Sequence, residues 1–243
     1  PPDIYLGQCD QGDDGVLTVS ATYSDFYFEG KGYSESAEDR DEARGLAIKL
    51  GMSVAMADGS LDDSEGEVIK EWIVKTISPF SDEKQKNLKE LYNNALREAY
   101  SEAQSGNLSL SDVTKKINQL ADSPQKYEAI ELCFEVMAAD GVADENELKT
   151  IKSIAEALDL DFEEIKNLHD KHLLNLDIAT EQQASIETML QIDTDWTNEQ
   201  IKKHLREEYS KWNNRINTLD EGQERDNAQQ MLDLIAEARK KYA

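Results

Sequence analysis

From Ala37 onward, apolar residues recur at i, i+3 and i+4 in one segment after another, and proline occurs there only as Pro79 and Pro124. That rhythm predicts helices over 38–57, 63–77, 82–104, 109–121, 125–139, 145–157 and 161–170, followed by 180–190, 197–216 and 221–242. The connections are short and contain Gly59, Gly106 or Gly141. Positions 1–37 differ. Their stretch GVLTVSATYSDFYFEGKGYS sets Val16, Leu17, Val19, Tyr23, Phe26, Tyr27 and Phe28 among turn formers, and predicts a short β-hairpin or an extended arm. The expected fold class is all-α, with an arm at 1–37, a helical domain at 38–176 and a smaller helical module with a C-terminal hairpin at 177–243.

Within this series one stretch repeats another. AIKLGMSVAMADGSLDDSEGEVIKEWI at 47–73 aligns with AIELCFEVMAADGVADENELKTIKSIA at 129–155, at a constant offset of 82 residues. Asp58, Gly59, Asp62 and Glu65 thus answer to Asp140, Gly141, Asp144 and Glu147, and both copies read DG-x-x-D-x-x-E. The first reading of this motif is structural. Gly59 and Gly141 supply the left-handed residue that ends a helix. Asp62 and Asp144 then cap the next helix, with Glu65 and Glu147 reaching back as the third residue of a capping box.

Charge narrows the function. With 51 acidic against 26 basic side chains, the formal charge of −25 repels phosphate backbones, which argues against nucleic acid as a partner. The surplus is uneven: 196–243 hold nine basic and nine acidic residues, leaving 17 against 42 in 1–195. Cys9 and Cys133 form neither a disulfide framework nor a ligand cluster, so a reducing, cytoplasmic compartment is expected. No segment approaches the ~20 apolar residues of a spanning helix, so direct membrane insertion of this chain is not expected. The chain opens on Pro1 and not on Met, which leaves room for a membrane anchor or another domain upstream.

The density of carboxylates on SLDDSEGE and VADENE suggests a second reading, in which repulsion is relieved by a bound cation. If Asp58 is counted as position 5 of an EF-hand loop, Gly59 falls at 6, Leu61 at 8, Asp62 at 9 and Glu65 at 12. Positions 1 and 3 are Val54 and Met56 in the first copy, and Val136 and Ala138 in the second, and supply no ligand. A metal site therefore has to pool Asp58, Asp62, Glu65, Asp140, Asp144 and Glu147 from both copies. Oxygen-only ligands favour calcium or magnesium. No organic cofactor is expected.

The pattern A-x-A-D-G-x-x-x-x-x-E, recurring as FEVMAADGVADENELKTIKSIAEALDLD, resembles the tellurite-resistance TerB domain and the N-terminal domain of DjlA-type membrane J-proteins, over roughly 42–172. The resemblance implies a compact helical domain whose two pseudo-symmetric helix groups bring both acidic motifs to one surface. It also implies a cation role for those six carboxylates, and bacterial stress-response or defence assemblies near membranes, with protein partners. No catalytic residues come with it.

The C-terminal segment, from Leu190 to Tyr242, predicts a basic amphipathic helix, a polar loop and a second amphipathic helix. It resembles a J-domain in which Asn213, Asn214 and Arg215 stand where His, Pro and Asp are expected. Without His-Pro-Asp it reads as a docking module, with Lys202, Lys203, Arg206, Lys211, Trp212 and Arg215 as candidate partner-binding residues. The structural alternative makes Trp212 core and the basic residues a solvated face. The search for an enzyme finds no G-x-S-x-G, Walker or complete G-x-G-x-x-G motif, and the chain is expected not to be one. His169 and His172 are expected at the surface or an interface, and His204 on the basic face of the tail helix.

Overall fold

A computed structural model describes residues 33–140, 145–173, 185–193 and 195–243, side chains at 33–35, 162, 163 and 173 excepted. Of the predicted β-rich arm at 1–37, residues 1–32 lie outside the described residues, and 33–37 are helical instead. The described chain is helical: α1 (Tyr33–Ala55), α2 (Asp63–Ile77), α3 (Asp82–Gln104), α4 (Leu110–Leu120), α5 (Ser123–Met137), α6 (Glu145–Ala157), α7 (Phe162–Leu173), α8 (Ile186–Met189), α9 (Asn198–Ile216) and α10 (Gln223–Lys241). Two boundaries correct the expectation. Helix α1 begins at Tyr33, because nothing between Gly32 and Ala37 breaks a helix, and the predicted 180–190 helix is reduced to α8 within its described part.

Helix α1 is the centre of the domain. Leu46, Ala47, Ile48, Leu50, Met52, Val54 and Ala55 are all buried, and a helix apolar on every side must be surrounded. It packs against α2, α3, α4, α5 and α6. Gly51 permits a close approach to α5, since a Cβ there would meet Leu132 at 3.4 Å. The sequence repeat becomes a spatial one. Helix pairs α1–α2 and α5–α6 pack reciprocally, α1 on α5 and α6 while α5 packs on α1 and α2, so the two corners of the repeat lie in equivalent settings.

The C-terminal pair α9–α10 forms a hairpin in which Ile201, Leu205 and Trp212 are buried with Ala228, Met231, Ile235 and Ala238. Its first helix starts on a capping box, Thr197 with Gln200. Replacing Thr197 by alanine is expected to cost about 1 kcal/mol, read from chemical denaturation. Tyr209 is partly exposed, its ring covered by the Arg239 guanidinium at 4.4 Å.

Polar groups join the hairpin to α7. Lys166 lies 2.5 Å from Glu208, and Asp170 pairs with Lys211. Trp212 Nε1 donates to Glu208 Oε2 at 3.2 Å. Lys166, Asp170 and Glu208 are all buried, so each charge depends on its partner, and the pairs fix how the hairpin seats on α7 more than they add to stability.

Candidate functional site

The first acidic corner follows α1. Successive turn hydrogen bonds, Met56 N–H to Met52 O at 3.0 Å and Gly59 N–H to Met56 O at 3.1 Å, close the helix. Gly59 then takes φ +97°, a conformation that costs a side-chain-bearing residue strain. Asp58 Oδ1 accepts from the Ser60 N–H at 2.8 Å and pins the turn. At the start of α2, Asp62 Oδ1 accepts from Ser64 N–H at 2.8 Å, and Glu65 Oε2 accepts from Asp62 N–H at 2.8 Å. The capping box of the first copy is therefore formed as expected. The hydroxyl and N–H of Ser64 hold the Asp62 carboxyl below its ordinary range.

The second corner is described at Asp140 and from Glu145 onward; Asp144 lies outside the described residues. What the structure adds is the relation between the copies. Glu65 and Glu147 are both buried, 7% and 6% exposed, although each stands in the first turn of a helix. Their carboxyl groups lie close enough to act on each other's ionisation. The Glu65 carboxyl is pushed up from its ordinary range. Burial is the main cause, and the charges of Asp58 and Asp140 add to it, against the opposing effects of Asp62 N–H and Glu147. Asp58, Asp62 and Asp140 are exposed. Among the described residues no three acidic, imidazole or thiol groups are gathered closely enough to hold a metal ion as they stand. The arrangement is a buried carboxyl pair, one from each copy, with two aspartates acting on it through space.

The family model described as tellurite resistance protein TerB matches residues 47–170, about half of the chain, with both corners inside it. The chain belongs to the TerB family. The TerB domain accounts for α2 to α6, the C-terminal part of α1 and most of α7, and leaves the α9–α10 hairpin outside it. No curated protein and no solved structure matches the chain.

The candidate docking residues on α9 separate in the structure. Trp212 is fully buried and belongs to the core, because the stripe Ile201, Leu205, Glu208, Trp212 packs on α10, with Lys166 of α7 reaching Glu208. Lys211 is engaged with Asp170 and with Glu208 at 3.3 Å, and Arg215 lies over the Trp212 ring at 5.6 Å. Lys203 and Arg206 are exposed and Lys202 is half-buried. The histidines also correct the sequence reading. His204 is buried, with Nε2 2.7 Å from Leu190 O, and is not on a basic face. His169 is buried and His172 half-buried, both packed on the Phe134 ring at centroid separations of 6.2 and 5.6 Å. Burial, with Lys171 nearby, pushes the His172 imidazole down.

Sequence reasoning missed the Lys166–Glu208 and Asp170–Lys211 pairs. The available signal was the interruption of the α9 apolar stripe by Glu208, which the surrounding abundance of charge concealed.

Proposed function

We propose that this TerB chain is a non-enzymatic interaction protein whose two acidic corners form one divalent-cation site, with Glu65 and Glu147 at its centre. The observation that carries this reading is the burial of those two interacting carboxyls, at positions related by the 82-residue repeat. A carboxyl pair kept out of water, where burial disfavours its charge, is relieved by a cation. Asp58, Asp62, Asp140 and Asp144 supply further charge, and oxygen-only donors suit calcium or magnesium. The bound ion would neutralise the corner surface and so present a different face to a protein partner in a stress-response or defence-type assembly, on the cytoplasmic side. Among the described residues no helix is long and apolar enough to cross a membrane.

Calorimetry with calcium, magnesium, manganese and zinc at physiological salt tests the site, the expected result being one ion per chain for at least one of them. Absence of both heat and a thermal shift with all four contradicts it. Proton linkage follows from the same pair. Because Glu65 is raised in the folded state, a cation must displace its proton. Affinity should fall as pH is lowered through the Glu65 titration, and the observed heat should vary with the ionisation enthalpy of the buffer. For the metal-free protein the sign reverses. A raised folded pKa means that the native state holds more protons than the unfolded one. Glu65 thus contributes stability below its unfolded pKa that is lost as pH rises through the folded value.

A second reading concerns the hairpin. Its antiparallel helices, with Lys203 and Arg206 exposed on α9, support a degenerate J-like docking module for a protein partner. With Asn213, Asn214 and Arg215 in place of His-Pro-Asp, a co-chaperone-like adaptor would bind without stimulating a DnaK-type ATPase. ATPase stimulation by the intact chain, abolished by Lys203→Glu with Arg206→Glu, would instead establish an active co-chaperone.

A further inference from the structure

Helix α7 differs from its neighbours in what it buries. Among its described side chains Ile165 alone is apolar and buried, whereas Lys166, His169 and Asp170 are buried and His172 is half-buried. Of the TerB helices it packs chiefly on α5. A helix held by so little apolar contact belongs to the part of a fold that opens locally, before the whole unfolds.

Three of these ionisable groups are compensated. Lys166 pairs with Glu208 at 2.5 Å, Asp170 pairs with Lys211, and His169 Nδ1 lies 3.5 Å from Asp170 Oδ1. His172 is not. Its ring stacks on Phe134 of α5, with centroids 5.6 Å and planes 11° apart. Its Nε2 is buried and has no hydrogen-bond partner among the described residues. Whichever tautomer the neutral ring adopts, the imidazolium carries a proton on Nε2, so charging it in place leaves a buried donor with neither acceptor nor water. The Phe134 face attracts a charged ring, but a stacked ring cannot accept an N–H that points along its own plane.

The surrounding charges do not rescue it. Burial pushes the His172 imidazole down, Lys171 and His169 of its own helix add to this, and Glu131 of α5 opposes it while lying 3.5 Å from Lys171. Glu135, a turn further along α5, is half-buried and pushed up by that burial. From α9, Glu208 and Lys211 are already matched to Lys166 and Asp170. Linkage then sets the sign. A released α7 returns His172 to water and to an ordinary value of about 6.5, so as pH falls the released form takes up the proton first. The seated form holds its advantage above that value and loses it below. Asp170 responds otherwise. Burial works against its charge, but His169 and Lys211 hold the carboxyl below its ordinary range, so its pair with Lys211 persists through the histidine window.

We propose that α7 is an acid-released strap: protonation of His172 frees it from Phe134 of α5, and the α9–α10 hairpin, clasped to it through Lys166–Glu208 and Asp170–Lys211, moves with it. The device uses none of the corner carboxylates, so it stands apart from the cation site.

Amide hydrogen exchange of the full metal-free chain, followed by NMR and expressed as protection factors so that the intrinsic pH dependence of exchange cancels, provides the test. Protection of the amides from Ile165 to His172 should fall as pH drops below about 6.5, by up to about tenfold per pH unit, the limit for uptake of one proton. Amides of α1 around Ile48 should keep theirs. In the unmodified chain the His172 ring protons should titrate below the ordinary histidine range. His172→Phe, which keeps a stacked ring that cannot be charged, should hold α7 protection constant across the same range, and His172→Gln, which adds no bulk against Phe134, should do the same. For the hairpin, spin labels on Lys203→Cys and Lys70→Cys in a Cys9→Ser chain should report a broadened distance at acid pH and a single one at neutral pH. Protection of α7 that is independent of pH, an equal loss in α1, a loss that persists in both His172 variants, or a label distance unchanged by acid would overturn the proposal.

Discussion

Replacing Trp212 by alanine should destabilise the protein by about 3–5 kcal/mol, the range for deleting a buried large aromatic side chain. Trp212 is fully buried, so truncation opens a void that α10 and α7 can only partly close. It also takes from Glu208 the Nε1 donor at 3.2 Å. Glu208 keeps Lys166 at 2.5 Å, but a buried carboxylate with fewer partners adds to the cost. Trp212→Phe retains most of the volume and loses only the donor, and should fall well short of the alanine variant. Denaturant unfolding followed by far-ultraviolet circular dichroism checks both. A loss under 1 kcal/mol for Trp212→Ala would mean that the hairpin does not depend on this side chain and that it is free to serve a partner.

The position of Trp212 shows where sequence periodicity stops being informative. The 3.6-residue rhythm gave the bounds of α2, α3 and α6 to the residue and that of α9 to within one. Caps and apolar stripes are local properties, so they can be read from a short window. A stripe says which face of a helix is buried, but not which neighbour buries it. Trp212 lay on the α9 stripe and was equally compatible with a docking face until α7 and α10 were placed against it. His169, His172 and His204 were assigned to surfaces because histidine among charged neighbours carries no burial signal of its own. Lys166 and Glu208 were hidden for a related reason: in a chain of formal charge −25, one more charged residue at a stripe position does not stand out.

The candidate site was legible to a different extent. The 82-residue repeat identified six carboxylates, and the resemblance to the TerB domain implied that both corners share a surface. Their ranking was not legible. Asp62 and Glu65 are three residues apart in the same capping box, yet Asp62 is exposed and bound to Ser64 while Glu65 is buried against Glu147. That difference arises from the packing of α1 and α2 on α5 and α6, a contact between segments at least 46 residues apart.

The two-corner account predicts an unusual pair of effects from single substitutions. Glu65→Gln or Glu147→Gln removes one carboxyl from a buried acidic pair while leaving an amide able to hydrogen-bond its neighbour. Relief of the desolvated acid should leave the metal-free protein at least as stable at neutral pH, whereas cation binding needs both charges. Loss of a stabilising contact gives the opposite pattern, a lower melting temperature with binding scaled down only in step with folding.

The direct measurement is calorimetric titration of the wild type, Glu65→Gln and Glu147→Gln with the cation that the wild type binds, alongside melting curves without metal. The account predicts one ion per wild-type chain, undetectable binding by either folded variant, and melting temperatures no lower than that of the wild type. Retention of full or half the binding by either variant would show that the two corners act separately, and would contradict the shared site.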